Sequence, residues 1–380
     1  MKRSARPVVA LVSDAIYPYN RGGKEVRYHE FSRRIADRAE VHVYTMRWWE
    51  GARTRDEQDI TFHAISPMLP LYARNRRSIG QAAVFAIACL RLLWQRFDVL
   101  EADHMPYLQI PVLRLVTLVR RKRFVVTWHE VWGPGYWRQY LGLPGIAAWA
   151  VEWLAMRLPD HIVAASPQTA ERLCTLLGRS DRITVAPNGI DLEAVNAALP
   201  ASVPADLVVV SRLLPHKRID MLLDAVALLH EQGMKVTCRV IGDGPEREAL
   251  HAQASELGIA SAIDFRHDVD EQKELYALVK AARVFAFPSA REGFGIAVLE
   301  ALACGIRVVT TSAPDNLARH LVSGASQGVI CDPTAEAMAA AAARLLSENP
   351  AADPDPQPAA WLSGYSWDAM VQRVSQALLI

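Results

Sequence analysis

Short apolar runs of β-forming residues recur along this chain, and helical periodicity fills most of the gaps between them. Residues 7–13, 41–46, 60–65, 98–102, 124–128, 161–165 and 182–186 each read as a strand. Amphipathic stretches such as 24–38 and 79–97 lie between them. Strands that alternate with helices imply parallel sheets joined by right-handed crossovers. The rhythm restarts at 206–210. It continues through a helix at 218–231, a strand at 237–241, a helix at 246–257, a strand at 263–266, a helix from Asp270, a strand at 282–287, a helix at 295–303 and a strand at 307–310.

Two Rossmann-like α/β halves are therefore expected, and 380 residues with 51% hydrophobic character suffice for a core in each. The expected boundaries are 1–191 for the first domain, a linker at 192–205 (LEAVNAALPASVPA), 206–349 for the second domain, and a last segment at 359–380. The linker carries proline and alanine without strand character. A second break at 349–358 (NPAADPDPQP) is too rich in proline to be helical and precedes an amphipathic helix at about 366–379. Five widely spaced cysteines with no C-x-x-C pair suggest neither a disulfide framework nor a zinc site, which points to a reducing cytoplasm. The apolar run after MKRSARP is too short for a signal peptide. The longest weakly charged runs, 78–90 and 141–151, fall short of the roughly 20 residues that cross a bilayer.

The densest chemistry lies at 288–305, PSAREGFGIAVLEALACG. Glu292 and Glu300 flank a Gly293-Phe294-Gly295 turn that opens a helix just after the 282–287 strand. Ligands of open α/β sheets bind at that edge. Gly293 and Gly295 permit a tight turn and a close ligand, and the helix beginning near Gly295 aims free N–H groups and a positive dipole end at a diphosphate or a polyhydroxylated ring. Glu292 can accept from sugar hydroxyls, and Glu300 from a second set such as a ribose. Arg212 and Lys217 follow the 206–210 strand and can converge on one diphosphate, Arg as a planar fork and Lys as a point charge. The loop Asn20-Arg21-Gly22-Gly23-Lys24 follows the first strand and offers backbone N–H groups for the same purpose. No Asp-x-Asp stands at a strand end, since Asp353 and Asp355 fall in the proline-rich break. A catalytic metal and other cofactors are not expected.

With two glutamates seven residues apart, SRLLPHKR at 211–218, RVIGDGPERE at 239–248, APNGID at 186–191 and NRGGKE at 20–25, the chain resembles the retaining glycosyltransferases of family 4. The resemblance covers nearly the whole chain and is most specific in the second half. It implies an α/β GT-B fold in which two Rossmann-like domains face a central cleft and the C-terminal helix crosses back to the N-terminal domain. It also implies that His129, Arg212, Lys217 and Glu292 act at the reacting centre. Gly22, Gly23, Gly242, Asp268, Gly293, Phe294, Gly295, Ile296 and Glu300 would bind the donor, with the 242–246 and 266–270 loops beside the base. Asp14, Trp132, Tyr136 and Trp137 would lie on the acceptor side, the last three in a long glycine-rich loop at 130–145. Departures from the family pattern are Ser211 and Arg218 in place of glycines, Arg307 in place of proline, and TSAPDNLARHL after the 307–310 strand, where a Gly-Gly loop is usual. These leave donor sugar identity open.

The net charge of +1 conceals an asymmetry: residues 1–190 carry 27 Lys and Arg against 17 Asp and Glu, and the remainder 15 against 24. Eight of the ten tryptophans also lie in the first half. A basic, aromatic surface suits an anionic membrane or a phosphorylated acceptor. Nucleic acid is not expected, because no binding module accompanies the charge. The expected function is transfer of a hexose from a UDP- or GDP-sugar to a hydroxyl of a glycan or lipid-linked acceptor, in the cytoplasm or peripherally at the inner membrane face. The alternatives are a non-catalytic nucleotide-sugar-binding partner and a GT-B-fold epimerase.

Overall fold

The computed structural model describes residues 6–73, 76–269, 271–323, 325, 327–348 and 360–380. The proline-rich break with Asp353 and Asp355, and Asp270, lie outside the described residues. The chain divides into two compact units, Met1–Gly189 with Trp367–Ile380, and Ile190–Ser366.

Unit 1 contains β1 (Val8–Val12), α1 (Gly23–Ile35), β2 (Glu40–Met46), β3 (Thr54–Glu57), β4 (Ile60–Ser66), β5 (Tyr72–Ala73), β6 (Arg76–Arg77), α2 (Ile79–Ala88) and β7 (Val99–Asp103). It continues with α3 (Gln109–Arg120), β8 (Arg123–Trp128), α4 (Gly133–Leu141), α5 (Gly145–Ala155), β9 (His161–Ala164), α6 (Pro167–Leu177) and β10 (Ile183–Val185). Eight strands form one sheet in the order β10, β9, β8, β7, β1, β2, β4, β3, parallel except for β3. Burial on both faces explains the unbroken apolar runs of β1 and β8. β3 went unread because its sequence TRDE is polar; it is an edge strand turned back by Gln58 and Asp59, both at positive φ.

Unit 2 contains α7 (Leu192–Ala197), β11 (Ala205–Val210), α8 (Ile219–Glu231), β12 (Cys238–Ile241), α9 (Arg247–Glu256), β13 (Ile263–Arg266), α10 (Gln272–Lys280) and β14 (Ala282–Phe287). Then come β15 (Arg291–Glu292), α11 (Ile296–Ala303), β16 (Arg307–Thr311), β17 (Asp315–Asn316), α12 (Arg319–Ser323), β18 (Gly328–Cys331) and α13 (Ala335–Ser347). Six strands form a parallel sheet in the order β13, β12, β11, β14, β16, β18.

In both sheets the winding reverses beside the first strand. β1 lies between β2 and β7, and β11 between β12 and β14. Each reversal opens a crevice at the strands' carboxyl ends. The 20–24 loop, Arg212, Lys217, Gly242 and Glu292 follow these same strands, whereas His129 follows β8 and Asp268 follows β13.

Three local expectations change. Residues 192–205 do not run as a free connector: Asp191 caps α7, Val195 is fully buried, and Lys280 Nζ donates to Val195 O at 2.6 Å and Ala198 O at 2.8 Å. Apolar positions in this stretch pack against Tyr276, which composition alone did not reveal. The segment at 360–366 belongs to unit 2, where Ile190 N donates to Tyr365 O at 2.8 Å, and only α14 (Trp367–Leu378) joins unit 1. α14 buries Trp367, Met370, Val371, Val374 and Leu378 in the core that also holds Tyr28, Phe31 and Ile35, which is the i, i+3, i+4 stripe its sequence shows.

The third change concerns 130–145, which holds α4 and the start of α5 and is not a long loop. Pro134 sits in the first turn of α4, where its missing N–H costs nothing. Gly142 ends that helix at φ +71°, and a Cβ on Gly145 would stand 2.2 Å from Trp137 O. The glycines permit a stop and a close backbone contact between α4 and α5. They do not loosen the segment.

Candidate functional site

In unit 2 the loops that follow β11, β12 and β14 are sewn together by backbone bonds. Leu213 N donates to Asp243 O at 2.9 Å, and Ala290 N to His216 O at 2.9 Å. Gly242 lies at φ +135°, where a Cβ would come 2.0 Å from Ser211 O, so only glycine lets the β12 loop lie against the β11 loop. This stitching joins side chains 75 residues apart: Lys217 Nζ donates to Glu292 Oε2. The Lys217 ammonium also sits 5.4 Å from the Phe287 ring centre. Burial pushes the Glu292 carboxyl up, but the ammonium beside it outweighs burial and holds it below its ordinary value. His216 is pushed down to about 3 by burial and by Lys217, so it stays neutral. Arg212 stands exposed on the same loop.

Gly295 opens α11 at φ +92°, and a Cβ there would stand 2.5 Å from Ala318 Cβ. The first intrahelical bond runs from Leu299 N to Gly295 O at 3.0 Å, which leaves the N–H groups of residues 296–298 outside the helical ladder. Glu300 Oε1 accepts from Tyr276 Oη at 2.9 Å and Gln272 Nε2 at 3.0 Å, and burial pushes its carboxyl up to about 7. Phe294, expected at the donor, is buried against Tyr365 with ring centres 5.9 Å apart, so its side chain is core. Ile296 is half-buried against the same core.

The divergent TSAPDN segment is a built part of this region. β17 pairs with β15, and Leu317 N donates to Glu292 O at 2.9 Å. Fully buried Asn316 donates through Nδ2 to Thr310 Oγ1 at 2.9 Å and Thr311 O at 3.0 Å. An asparagine with no space to move therefore backs the loop that carries Glu292. Asp268, expected beside the base, is exposed and paired with Arg266 at 2.9 Å.

Unit 1 has its own charged cluster at its own reversal point. Lys24 Nζ lies 2.6 Å from Asp103 Oδ2 and 3.0 Å from Asp14 Oδ1. Asp14 Oδ2 also accepts from Arg77 Nη2 at 2.8 Å and Gln81 Nε2 at 3.1 Å. Asp14, expected on the acceptor side, is instead fully buried with both oxygens engaged, and it anchors the loop. Burial pushes the Asp103 carboxyl up, but Lys24 and His104 prevail and hold it well below the carboxylate range. His104 Nδ1 is 3.0 Å from Asp103 Oδ1, and His129 Nε2 is 3.9 Å from the same oxygen. Burial pushes His129 down to about 3, and the Nε2 atoms of both rings lack a hydrogen-bond partner among the described residues.

Gly22 caps α1 with extended backbone, where a Cβ would meet Glu25 Oε2 at 2.4 Å, and Gly23 begins the helix. Trp137 is buried and donates to Glu152 Oε2 at 2.6 Å, so it serves the α4–α5 packing. Trp132 stacks edge-on with Tyr136 and Tyr140 and donates to Glu130 Oε1 at 2.7 Å.

Sequence reasoning missed Lys24, Asp103, His104, Gln272 and Tyr276. Asp103-His104 directly follows a strand, and Gln272 and Tyr276 share one helix face four residues apart; both were readable signals.

The family described as "Glycosyl transferases group 1" matches residues 196–357, and the family described as "Glycosyltransferase Family 4" matches residues 21–194. A GDP-mannose-dependent alpha-(1-6)-phosphatidylinositol monomannoside mannosyltransferase of Mycolicibacterium smegmatis is 27% identical, over 92% of this chain and 91% of that protein. A glycogen synthase of Mycobacterium tuberculosis is 30% identical over 60% of this chain, and the chain spans 56% of that relative's length. The crystal structure of HepE from Anabaena with UDP and glucose superposes with a TM-score of 0.69 at 20% identity, covering 98% of this chain and all of that one, which establishes the shared two-domain GT-B fold.

Proposed function

We propose, for a chain that belongs to the family 4 nucleotide-sugar glycosyltransferases, a specific reaction: transfer of a hexose from a UDP- or GDP-sugar, with retention, to a hydroxyl of a glycan or lipid-linked acceptor at the cytoplasmic side of the membrane. The observation that carries this reading is the Lys217–Glu292 pair at the winding reversal of unit 2, with Arg212 on the same loop. Cleavage of the bond to the sugar leaves negative charge on a diphosphate while positive charge develops on the ring. Arg212 and Lys217 meet the first charge. A diphosphate competes with Glu292 for the Lys217 ammonium, and the freed carboxylate then accepts from sugar hydroxyls.

The N–H groups at the start of α11 add positive potential beside the same anion. Glu300, oriented by Tyr276 and Gln272, accepts from the ribose. His129 is neutral, so it offers a hydrogen bond at Nε2 and no charge. In this reading the cations suffice without a divalent ion. Full activity in EDTA is expected, and activity restored only by added Mg²⁺ or Mn²⁺ would overturn that part.

The test is donor turnover in Arg212→Ala, Lys217→Ala and Glu292→Ala. Each should lose most activity, and wild-type rates in all three would sink the proposal. Turnover of donor with no acceptor present would favour an epimerase, and nucleotide binding without turnover would favour a binding partner.

A further inference from the structure

The helices on one face of the unit 1 sheet have an outer surface that a water-facing helix does not normally carry. α2 runs directly into a 3-10 segment, Cys89–Trp94, and buries Phe85, Cys89 and Leu92 in the core. The opposite side of the same rod is also apolar: Val84, Ile87 (66% exposed) and Trp94 (77% exposed) fall on one stripe at helical spacing. Its neighbour α3 repeats the pattern, with Leu115, Leu118 (57%) and Val119 (62%) outward and Ile110, Leu113 and Val116 inward. Scattered exposed apolar residues are ordinary, but two adjacent helices that are both apolar outside are not.

The two helical segments themselves carry charge of one sign, although Asp98 pairs with Lys122 at 3.0 Å and Asp160 with Arg114 at 2.9 Å at their borders. From Ile60 to Phe97 and from His104 to His129 the chain contains no Asp or Glu. Those stretches hold Arg91 and Arg96 beside Trp94, and Arg120, Arg121, Lys122 and Arg123 at the end of α3. Arg120 Nη2 donates to Gln95 O at 3.2 Å, which ties the basic end of α3 to the end of the Trp94 segment. An apolar double-helix face, an exposed tryptophan and a cluster of cations at one end thus occur together. That combination matches a bilayer boundary, where apolar side chains enter the acyl region, tryptophan sits at headgroup depth and Lys and Arg meet anionic lipid. A protein partner would need carboxylates placed to meet these cations, whereas an anionic leaflet supplies negative phosphate groups everywhere.

We propose that the outer face of α2, the Cys89–Trp94 segment and α3 docks this protein on an anionic lipid bilayer, lying in the interface without crossing it. None of the described helices is long and apolar enough to span a membrane. The inference stands apart from the transfer reaction, since it uses neither Arg212, Lys217, Glu292 nor any other residue of the donor site.

The experiment is flotation of the full-length protein with phosphatidylcholine vesicles, with and without phosphatidylglycerol, in the absence of donor and acceptor. Binding to the phosphatidylglycerol vesicles that weakens with salt is expected. Ile87→Asp with Leu118→Asp should weaken it about tenfold or more, and Arg96→Gln with Arg121→Asn by about tenfold. These positions are exposed, so an unchanged thermal melt and unchanged nucleotide binding would confirm that each variant is folded. No binding by the wild type, or equal binding by the aspartate variant, would overturn the proposal. So would a wild-type dimer in lipid-free solution that Ile87→Asp converts to monomer, because the face would then be covered by a second copy.

Discussion

At the winding reversal of unit 1, Asp14, Asp103, Lys24 and Arg77 spend their charge on one another, and both carboxylates are fully buried. At the equivalent reversal of unit 2, Lys217 and Glu292 form a single pair, both side chains keep some exposure, and the loops around them are held by backbone bonds instead. The same topological position thus does different work in the two halves. Where side-chain charges knit the loops, few remain for a ligand. Where backbone and glycine contacts knit them, the charged groups are left to exchange partners.

This contrast is testable through variants that should affect one unit's stability and the other's chemistry. Lys24→Met leaves buried Asp103 without its lysine and Asp14 with Arg77 alone, and should destabilise unit 1 by about 3–5 kcal/mol, read by denaturant unfolding. A cost below about 1 kcal/mol would mean the cluster is not a scaffold. Next in size, Lys217→Ala should lower kcat by about 10²–10³-fold, with a much smaller effect on unfolding than Lys24→Met. The reverse ranking of the two variants would dissolve the comparison.

The pH dependence sharpens it further. With Glu300 pushed up to about 7, the site carries a neutral acid below that pH and an accepting carboxylate above it. Nucleotide affinity should therefore rise about tenfold between about pH 6 and about pH 8, and Glu300→Gln should flatten the profile. For stability the sign is opposite. Glu300 and Glu101 both have raised values near 7, so the unfolded chain loses these protons first, and their contribution drains away as pH climbs from the ordinary glutamate value towards 7. The smallest effect belongs to Tyr276→Phe, which removes one donor to Glu300 and should weaken nucleotide binding by about 1 kcal/mol, measured calorimetrically.

How much of this was legible in the sequence differed by kind of feature. The strands of both sheets that the apolar runs marked fall within two residues of their observed bounds, because burial on both faces writes an unbroken apolar signal. Polar β3 wrote none. Lys217 and Glu292 were singled out because each follows within a few residues of the C-terminal end of an apolar strand, β11 and β14. Trp137 and Phe294 were misplaced for the opposite reason: aromatic residues near glycines look available, and only packing shows that their rings fill core. Gly295 was read as permitting a tight turn, and its φ is positive with a side chain close by, whereas Gly242 was named only for the donor and its positive φ against the Ser211 backbone was not foreseen. Glycine was misread at 142 and 145, where it stops one helix and seats the next.

The sequence by itself determined most strands of the two parallel sheets and that two α/β units form, because these depend on neighbours a few residues away. The tertiary structure alone decided which charges meet. Asp14 meets Asp103 through Lys24 because β7 crosses over to lie beside β1, and Lys217 meets Glu292 because β14 crosses over to lie beside β11. Strand order is a property of long crossovers, and no local pattern records it.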